Sequence, residues 1–101
     1  MKIRILQMKQ LSIIYASEAD VLNMALFGIT AKQWRDKNLR RNGNIRDYAS
    51  INELICISNM ENINAVLIED GLNQSERSIK LNKIAIHQMS ILEEQNTKVL
   101  K

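Results

Sequence analysis

The sequence has no proline, only three glycines, four aromatic residues and a single cysteine. Because proline and glycine are the residues that most often interrupt regular elements, their scarcity favours long, unbroken helices or strands. A core with so few aromatic rings must be built from isoleucine, leucine, methionine, valine and alanine. One cysteine excludes an internal disulfide framework and a metal site made of several cysteines, which fits a reducing compartment.

The length and composition indicate one globular domain. The chain has 101 residues, of which 25% are charged and 46% hydrophobic, an ordinary balance for a folded protein. No apolar run approaches the roughly 20 residues of a membrane span. Charges at Lys2, Arg4 and Lys9 leave no room for a secretion signal. We therefore expect a cytoplasmic protein with no membrane contact.

Helix start and stop signals recur along the chain. Four residues that accept hydrogen bonds at helix N-termini are each followed three positions later by a residue that can reach back: Ser17 by Asp20, Thr30 by Gln33, Ser50 by Glu53, and Asn73 by Glu76. Gly28 and Gly71 stand where helices end in a left-handed residue. These signals predict helices at about 18–27, 31–39, 51–70 and 74–94, and an all-α bundle of about four helices.

The organisation that follows is a lead-in at 1–14, a helical domain at 15–94 and a flexible tail at 95–101. The tripeptide Tyr-Ala-Ser occurs at 15–17 and again at 48–50, each time before a predicted helix. The short segments before them could pair as a two-stranded ribbon. Alternatively, each tyrosine packs on its own helix.

Apolar spacing assigns a buried face to each long helix. The first buries Val21, Leu22, Ala25 and Leu26. The third offers one ridge made of Leu54, Ile55, Ser58, Asn62, Ala65, Val66 and Glu69. Asn59, Asn62 and Asn64 add polar groups in the middle of the third helix, which either bond across a helix pair or face water.

The fourth helix is apolar over more than one stripe, which is typical of a helix that is buried or lies at a subunit interface. A chain this small cannot easily surround it, so we expect a homodimer. The interface would use Ile79, Ile84, Ile86, Met89 and Ile91. The alternative is burial within one chain.

Charge is separated along the sequence. Residues 30–46 hold six basic residues and one acid, a net +5, whereas residues 47–71 hold five acids and no lysine or arginine. A basic band of this kind could face phosphate groups. It could equally pair with the acidic segment or with a partner subunit.

Residues 18–39 have the layout of a helix-turn-helix, whose second helix enters the major groove of DNA. Lys32, Gln33 and Arg35 are suitable types for base edges. Arg40 and Arg41 could hold phosphates from the loop that follows, and Arg46 belongs to the same basic band. The alternative is that Trp34 simply packs onto the first helix.

Catalytic chemistry has little support in the sequence. The one histidine, His87, has no nucleophile or carboxylate predicted beside it, and Cys56 lies among isoleucines as a small apolar filler. No phosphate loop, metal-ligand spacing or catalytic triad is present. We expect no enzymatic activity, no cofactor, no metal and no small-molecule substrate.

Several strings in residues 15–91 carry a family resemblance. They include Y-A-S-E-A-D, F-G-I-T-A-K-Q-W-R, G-N-I-R-D-Y-A-S-I-N-E-L, S-N-M-E-N-I-N-A, Q-S-E-R and L-N-K-I-A. This segment resembles the C-terminal region of the KilA-N domain proteins of phages and of the bacteria that carry them. Residues 37–44 depart from the family, which has a shorter, proline-containing and less basic connection there.

The resemblance implies a DNA-associated regulator. Relatives of this kind carry an N-terminal KilA-N DNA-binding domain and are linked to phage antirepressors and transcription regulation. This chain corresponds to the trailing region only. The first expectation is therefore a non-enzymatic accessory domain that oligomerises or binds a partner, and the alternative is direct DNA binding through 18–39 and the basic band 32–46.

Overall fold

The computed structural model describes residues 3–11 and 13–99. Within those residues it contains helices and the loops that connect them. Five α-helices occur there: α1 (Met8–Leu11), α2 (Glu18–Phe27), α3 (Ala31–Lys37), α4 (Ile51–Glu69) and α5 (Gln74–Val99). A short 3-10 helix, Ile45–Tyr48, precedes α4. The predicted fold class is confirmed. No strand forms in the described residues, so the ribbon before the Tyr-Ala-Ser tripeptides is wrong, and Tyr48 lies in the 3-10 helix instead.

Local capping explains where the helices begin. The hydroxyl of Thr30 accepts from Gln33 N at 3.2 Å, and the Gln33 side chain accepts from Thr30 N at 2.9 Å. Ser50 and Glu53 repeat this reciprocal arrangement. At α2 only half of the pattern forms, because Ser17 accepts from Asp20 N while the Asp20 carboxylate accepts from Ala31 N at 2.9 Å instead. That second bond ties the start of α3 to the start of α2.

The ends of α3 and α5 differ from the sequence prediction. Helix α3 stops at Lys37 rather than 39, because the Asn38 amide donates to the carbonyl of Trp34 at 2.8 Å and caps the last turn. Helix α5 continues to Val99, five residues beyond the predicted end and into the predicted tail. The last two residues of that tail lie outside the described part of the chain.

Helices α2, α4 and α5 enclose one apolar core. Six consecutive residues of α2, from Val21 to Leu26, are buried, so α2 is covered on all sides. Cys56, Ile57 and Met60 reach the core from α4, and Leu81, Ala85 and Met89 reach it from α5. Residues 3–11 pass over the outside, where α1 contacts α5.

The predicted ridge of α4 faces away from the core, so this prediction is wrong. All seven residues of the predicted ridge, which runs from Leu54 to Glu69, are exposed. The core instead receives Ile57, Met60 and Asn64, which are spaced by three and four residues on the opposite face. Isoleucines and leucines occur on nearly every side of this helix, so apolar spacing could not choose between the two faces.

Candidate nucleic-acid interface

Residues 30–48 form a separate module on the helical body, consisting of α3, the 3-10 helix and the loop between them. Trp34 and Ile45 are its two buried anchors. The ring of Trp34 lies 5.3 Å from that of Tyr48, centroid to centroid, and this contact joins the two ends of the module. Helix α3 packs chiefly on the 3-10 helix. We call this unit the basic module.

The three α3 residues predicted to contact base edges differ in the contacts that their side chains make. Lys32 is exposed but lies 2.9 Å from Asp36 in an i, i+4 ion pair. The Gln33 side-chain oxygen accepts from the backbone of Thr30, so this group serves as a cap. Arg35 is exposed and has no carboxylate partner among the described residues. Of the three, Arg35 alone presents a charged group that is not already used within the chain.

The three arginines that follow α3 also differ in their contacts: Arg40 and Arg41 lie in the loop, and Arg46 lies in the 3-10 helix. Arg46 donates to Glu61 at 2.8 Å and so links the basic module to α4. The Arg41 guanidinium lies 5.1 Å from the Tyr48 ring centroid, an arrangement that orients the cation without neutralising it. Arg40 is exposed. Pairing between the basic and acidic segments, which the sequence left open, is therefore represented by the Arg46–Glu61 contact.

The packing of α3 departs from that of a helix-turn-helix. In that motif the second helix is supported by the first, whereas α3 rests mainly on the 3-10 helix that follows it. Lys37, at a position where the motif has an apolar core residue, is exposed. Helix α3 has seven residues and buries only Trp34. The module consequently presents a charged surface rather than a long recognition helix.

A network of buried polar groups joins the helices of the body. The Arg77 guanidinium on α5 donates to both oxygens of Glu18 on α2 and to the Asn64 side-chain oxygen on α4, the latter at 3.0 Å. Its Nε also donates to the carbonyl of Leu72 at 3.1 Å. Hydrogen bonding from Arg77 is the main reason that the pKa of Glu18 lies below its ordinary value, against the opposing effect of burial.

A second buried amide fixes the N-terminal segment. Asn82 on α5 donates to the carbonyls of Ala25 and Arg4, at 2.9 and 3.1 Å, and accepts from Leu6 N at 3.0 Å. Sequence reasoning missed both Asn82 and Arg77. For Arg77 the sequence did contain a signal of burial. Arg77, Leu81 and Ala85 are spaced by four residues and therefore fall on one stripe of α5.

The two side chains considered for chemistry are not assembled into a reactive site. Burial, and secondarily the charge of Glu53, raises the pKa of Cys56 to about 11, so the thiol stays protonated at neutral pH. His87 is exposed on α5. Within the described residues, no three His, Cys, Asp or Glu side chains are grouped closely enough to hold a metal ion.

The five residues predicted for a dimer interface do not share one surface. Met89 is 3% exposed and belongs to the core, and Ile84 packs against that core. Ile79 and Ile86 are seven residues apart and lie on one flank of α5. Ile91 lies on the other flank, seven residues after Ile84. A single partner helix could not cover both flanks.

The outer face of α4 is the larger exposed apolar surface. Leu54, Ile55 and Val66 are each between 41% and 55% exposed. Ser58, Asn62 and Ala65 lie between them on the same side of the helix. Exposed apolar surfaces rimmed by polar residues are typical of contact sites for other proteins.

Comparisons with protein-family models, curated proteins and solved structures found no match for this chain. The resemblance to the C-terminal region of KilA-N proteins therefore depends on the quoted sequence strings alone. In the part of the chain that the structure describes, no helix has both the length and the apolar character needed to cross a membrane.

Proposed function

We propose that this chain binds DNA through the basic module, as a non-enzymatic, cytoplasmic domain of a DNA-associated regulator. The observation that carries the proposal is a set of exposed cations with no carboxylate partner in the described structure. They are Arg35, Lys37, Arg40 and Arg41. Exposed cations that are not paired internally are the groups that can replace counterions along a phosphate backbone.

Within the basic module, only two of the six cationic side chains form ion pairs with carboxylates of the described residues. Lys32 forms an exposed ion pair with Asp36, and Arg46 forms one with Glu61. The four remaining cations occupy residues 35–41, a short stretch of one surface segment. Such clustering favours contact with several phosphates at once, because neighbouring phosphates on one DNA strand are close together.

The family resemblance supports a DNA-associated role for the protein, but it does not extend to Arg40 and Arg41, which lie where the chain departs from the family pattern. Relatives of this kind carry an N-terminal KilA-N DNA-binding domain and are linked to phage antirepressors and transcription regulation. In our proposal the basic module adds phosphate contacts to those of such a domain. Contacts of this type position a protein on the duplex without reading its sequence.

The test is the salt dependence of binding to random-sequence duplex DNA. Four phosphate contacts give a slope of about −3.6 in a plot of log affinity against log salt. Arg40→Gln should reduce the slope by about 1 and weaken binding on all sequences alike. Lys83→Gln, which removes an exposed charge of α5 outside the basic module, is the matched control and should leave the slope unchanged.

A second candidate function is self-association through the outer face of α4, which would make the chain an oligomerisation domain. The exposure of Leu54, Ile55 and Val66 favours it. A dimer would give a mass of twice 11.6 kDa and a melting temperature that rises with concentration. Ile55→Asp, at a side chain 42% exposed, should then yield monomers, whereas Ile13→Asp, at a side chain 45% exposed but outside α4, should not. A monomeric wild-type chain at high concentration contradicts this candidate.

A further inference from the structure

Leu39 is an exposed apolar side chain at the tip of the basic module. Its exposed fraction is 84%, and its neighbours in the chain are Asn38 and Arg40. Exposure alone does not single it out, since Ile14 is 85% exposed and isolated surface hydrophobic residues are common. The distinguishing features are the rigidity of the turn and the charges on either side.

The turn that carries Leu39 is held from both sides. Arg41 N donates to the carbonyl of Asn38 at 3.0 Å, which places Leu39 and Arg40 at the two central positions of a β-turn. The Asn38 amide is bonded to Trp34 O at 2.8 Å. On the far side, the Tyr48 hydroxyl donates to Asn42 O at 2.8 Å. The leucine is therefore presented by a fixed backbone rather than by a loose loop.

A shallow concavity of about 360 Å³ lies beside the leucine and is lined by residues 36–41. Asp36 is the one acidic residue in the lining of the concavity, and its carboxylate forms an ion pair with Lys32 at 2.9 Å. Lys37, Arg40 and Arg41 supply the remaining charge. The concavity is thus cationic in net charge, which favours a phosphate group beside the leucine.

We infer that Leu39 is a wedge residue that inserts at a base step of duplex DNA while Lys37, Arg40 and Arg41 hold the flanking phosphates. The inference depends on the proposed DNA binding and adds a mode of contact to it. Apolar wedges such as leucine, flanked by cations, partially unstack base steps and bend the duplex. Pyrimidine–purine steps, which unstack most easily, are the preferred sites.

Duplex DNA fits the tip better than single strands or lipid do. Single-strand binding relies on aromatic rings open to stacking, and here the Tyr48 ring is engaged by both Trp34 and Arg41. Membrane surfaces require a broad apolar face, whereas this turn offers one leucine. A wedge requires only a single rigidly presented side chain.

The experiment uses the full chain and a short duplex containing one TA step in which the adenine is replaced by the fluorescent analogue aminopurine. Wild type should raise the fluorescence, because unstacking relieves quenching of the analogue. Leu39→Ala should abolish this rise and weaken binding by about tenfold, with an unchanged salt slope. Leu39→Phe should retain the rise. Ile14→Ala is the matched control and should behave as wild type.

Three results would overturn the inference. Binding with the expected salt slope but no fluorescence rise removes the wedge and leaves the proposed function standing. Absence of binding removes both. A Leu39-dependent affinity for anionic lipid vesicles, with no unstacking of the duplex, assigns the leucine to a membrane surface instead.

Discussion

Loss of the Arg77 side chain should destabilise the fold by about 3 kcal/mol. This side chain is only 8% exposed, and it supplies donors to Asn64, Glu18 and Leu72. In Arg77→Met the buried Asn64 oxygen loses its donor, which costs about 1–3 kcal/mol. Glu18 is 44% exposed, so water replaces part of its lost partner, and its share is about 1 kcal/mol rather than the larger value of a fully buried pair.

Urea unfolding followed by far-UV circular dichroism measures this loss, and the single tryptophan provides a second probe. A cost of about 3 kcal/mol lowers the melting temperature of a domain of this size by roughly 12–24 °C. Lys80→Met, on the exposed side of the same helix, is the matched control and should change stability by no more than about 0.5 kcal/mol. Equal effects of the two substitutions would refute the structural role of the network.

The same network predicts a pH dependence. The pKa of Glu18 is lowered from 4.5, chiefly by hydrogen bonding from Arg77. Because the depressed value belongs to the folded state, the stabilisation is complete above the unfolded pKa and is lost as pH falls through the folded one. Wild type should therefore lose stability below pH 4.5 more steeply than Arg77→Met, as measured by urea unfolding at a series of acidic pH values. Parallel curves would contradict the assignment.

Three further predictions concern single positions. Cys56, buried and with a pKa raised to about 11, should resist a thiol reagent in the native state and react upon unfolding; rapid native labelling would refute its burial. Gly43→Ala should destabilise the fold by about 1–2 kcal/mol more than Gly28→Ala. Both glycines have positive φ, but only at Gly43 would an added Cβ lie 2.3 Å from Asp47 Oδ2. Equal unfolding free energies of the two variants would contradict this clash. Asn82→Ala should cost about 2–3 kcal/mol and speed amide exchange at Leu6, whose N–H it binds; unchanged exchange would show that Asn82 does not hold this segment.

Features set by neighbouring residues could be predicted from the sequence. The caps at Thr30 and Ser50 depend on residues three positions apart, and both formed as predicted. The end of α2 at Gly28 also followed from local rules. Fold class was therefore accessible, because helix starts and stops in this chain are encoded by adjacent side chains.

Features set by distant residues could not be predicted in the same way. The inner face of α4 is decided by which side meets α2 and α5, and the helix has apolar residues on both sides. Burial of Arg77 requires Glu18 and Asn64, which lie 59 and 13 positions away in the sequence. Sequence spacing alone gives no means of bringing these three residues together.

The candidate site was predicted in part. The concentration of charge in residues 30–46 identified the surface, but it did not distinguish Arg46 and Lys32, which pair within the chain, from Arg40, which does not. Leu39 could not be singled out from the sequence, because its neighbours there carry no apolar pattern. Its exposure is a consequence of the turn that Asn38 and Arg41 close.

Several strings that resemble KilA-N relatives contain residues that hold the body together. Glu18 lies in Y-A-S-E-A-D, Asn64 in S-N-M-E-N-I-N-A and Arg77 in Q-S-E-R, and these three form the network in which Arg77 and Asn64 are buried. Asn82, in L-N-K-I-A, fixes the N-terminal segment. These residues serve architecture, while Arg40 and Arg41 lie in the segment where the chain departs from the family. DNA contact in the basic module is thus a property to be tested on this chain itself.

The most direct test is fluorescence anisotropy of the full chain with random-sequence duplex DNA at low and physiological salt. The account predicts binding that falls steeply with salt, is lost in Arg40→Glu/Arg41→Glu, and persists in Lys80→Glu/Lys83→Glu, which makes the same charge change outside the basic module. Absence of binding at low salt, or equal losses in the two double variants, would contradict a DNA-binding role for the basic module.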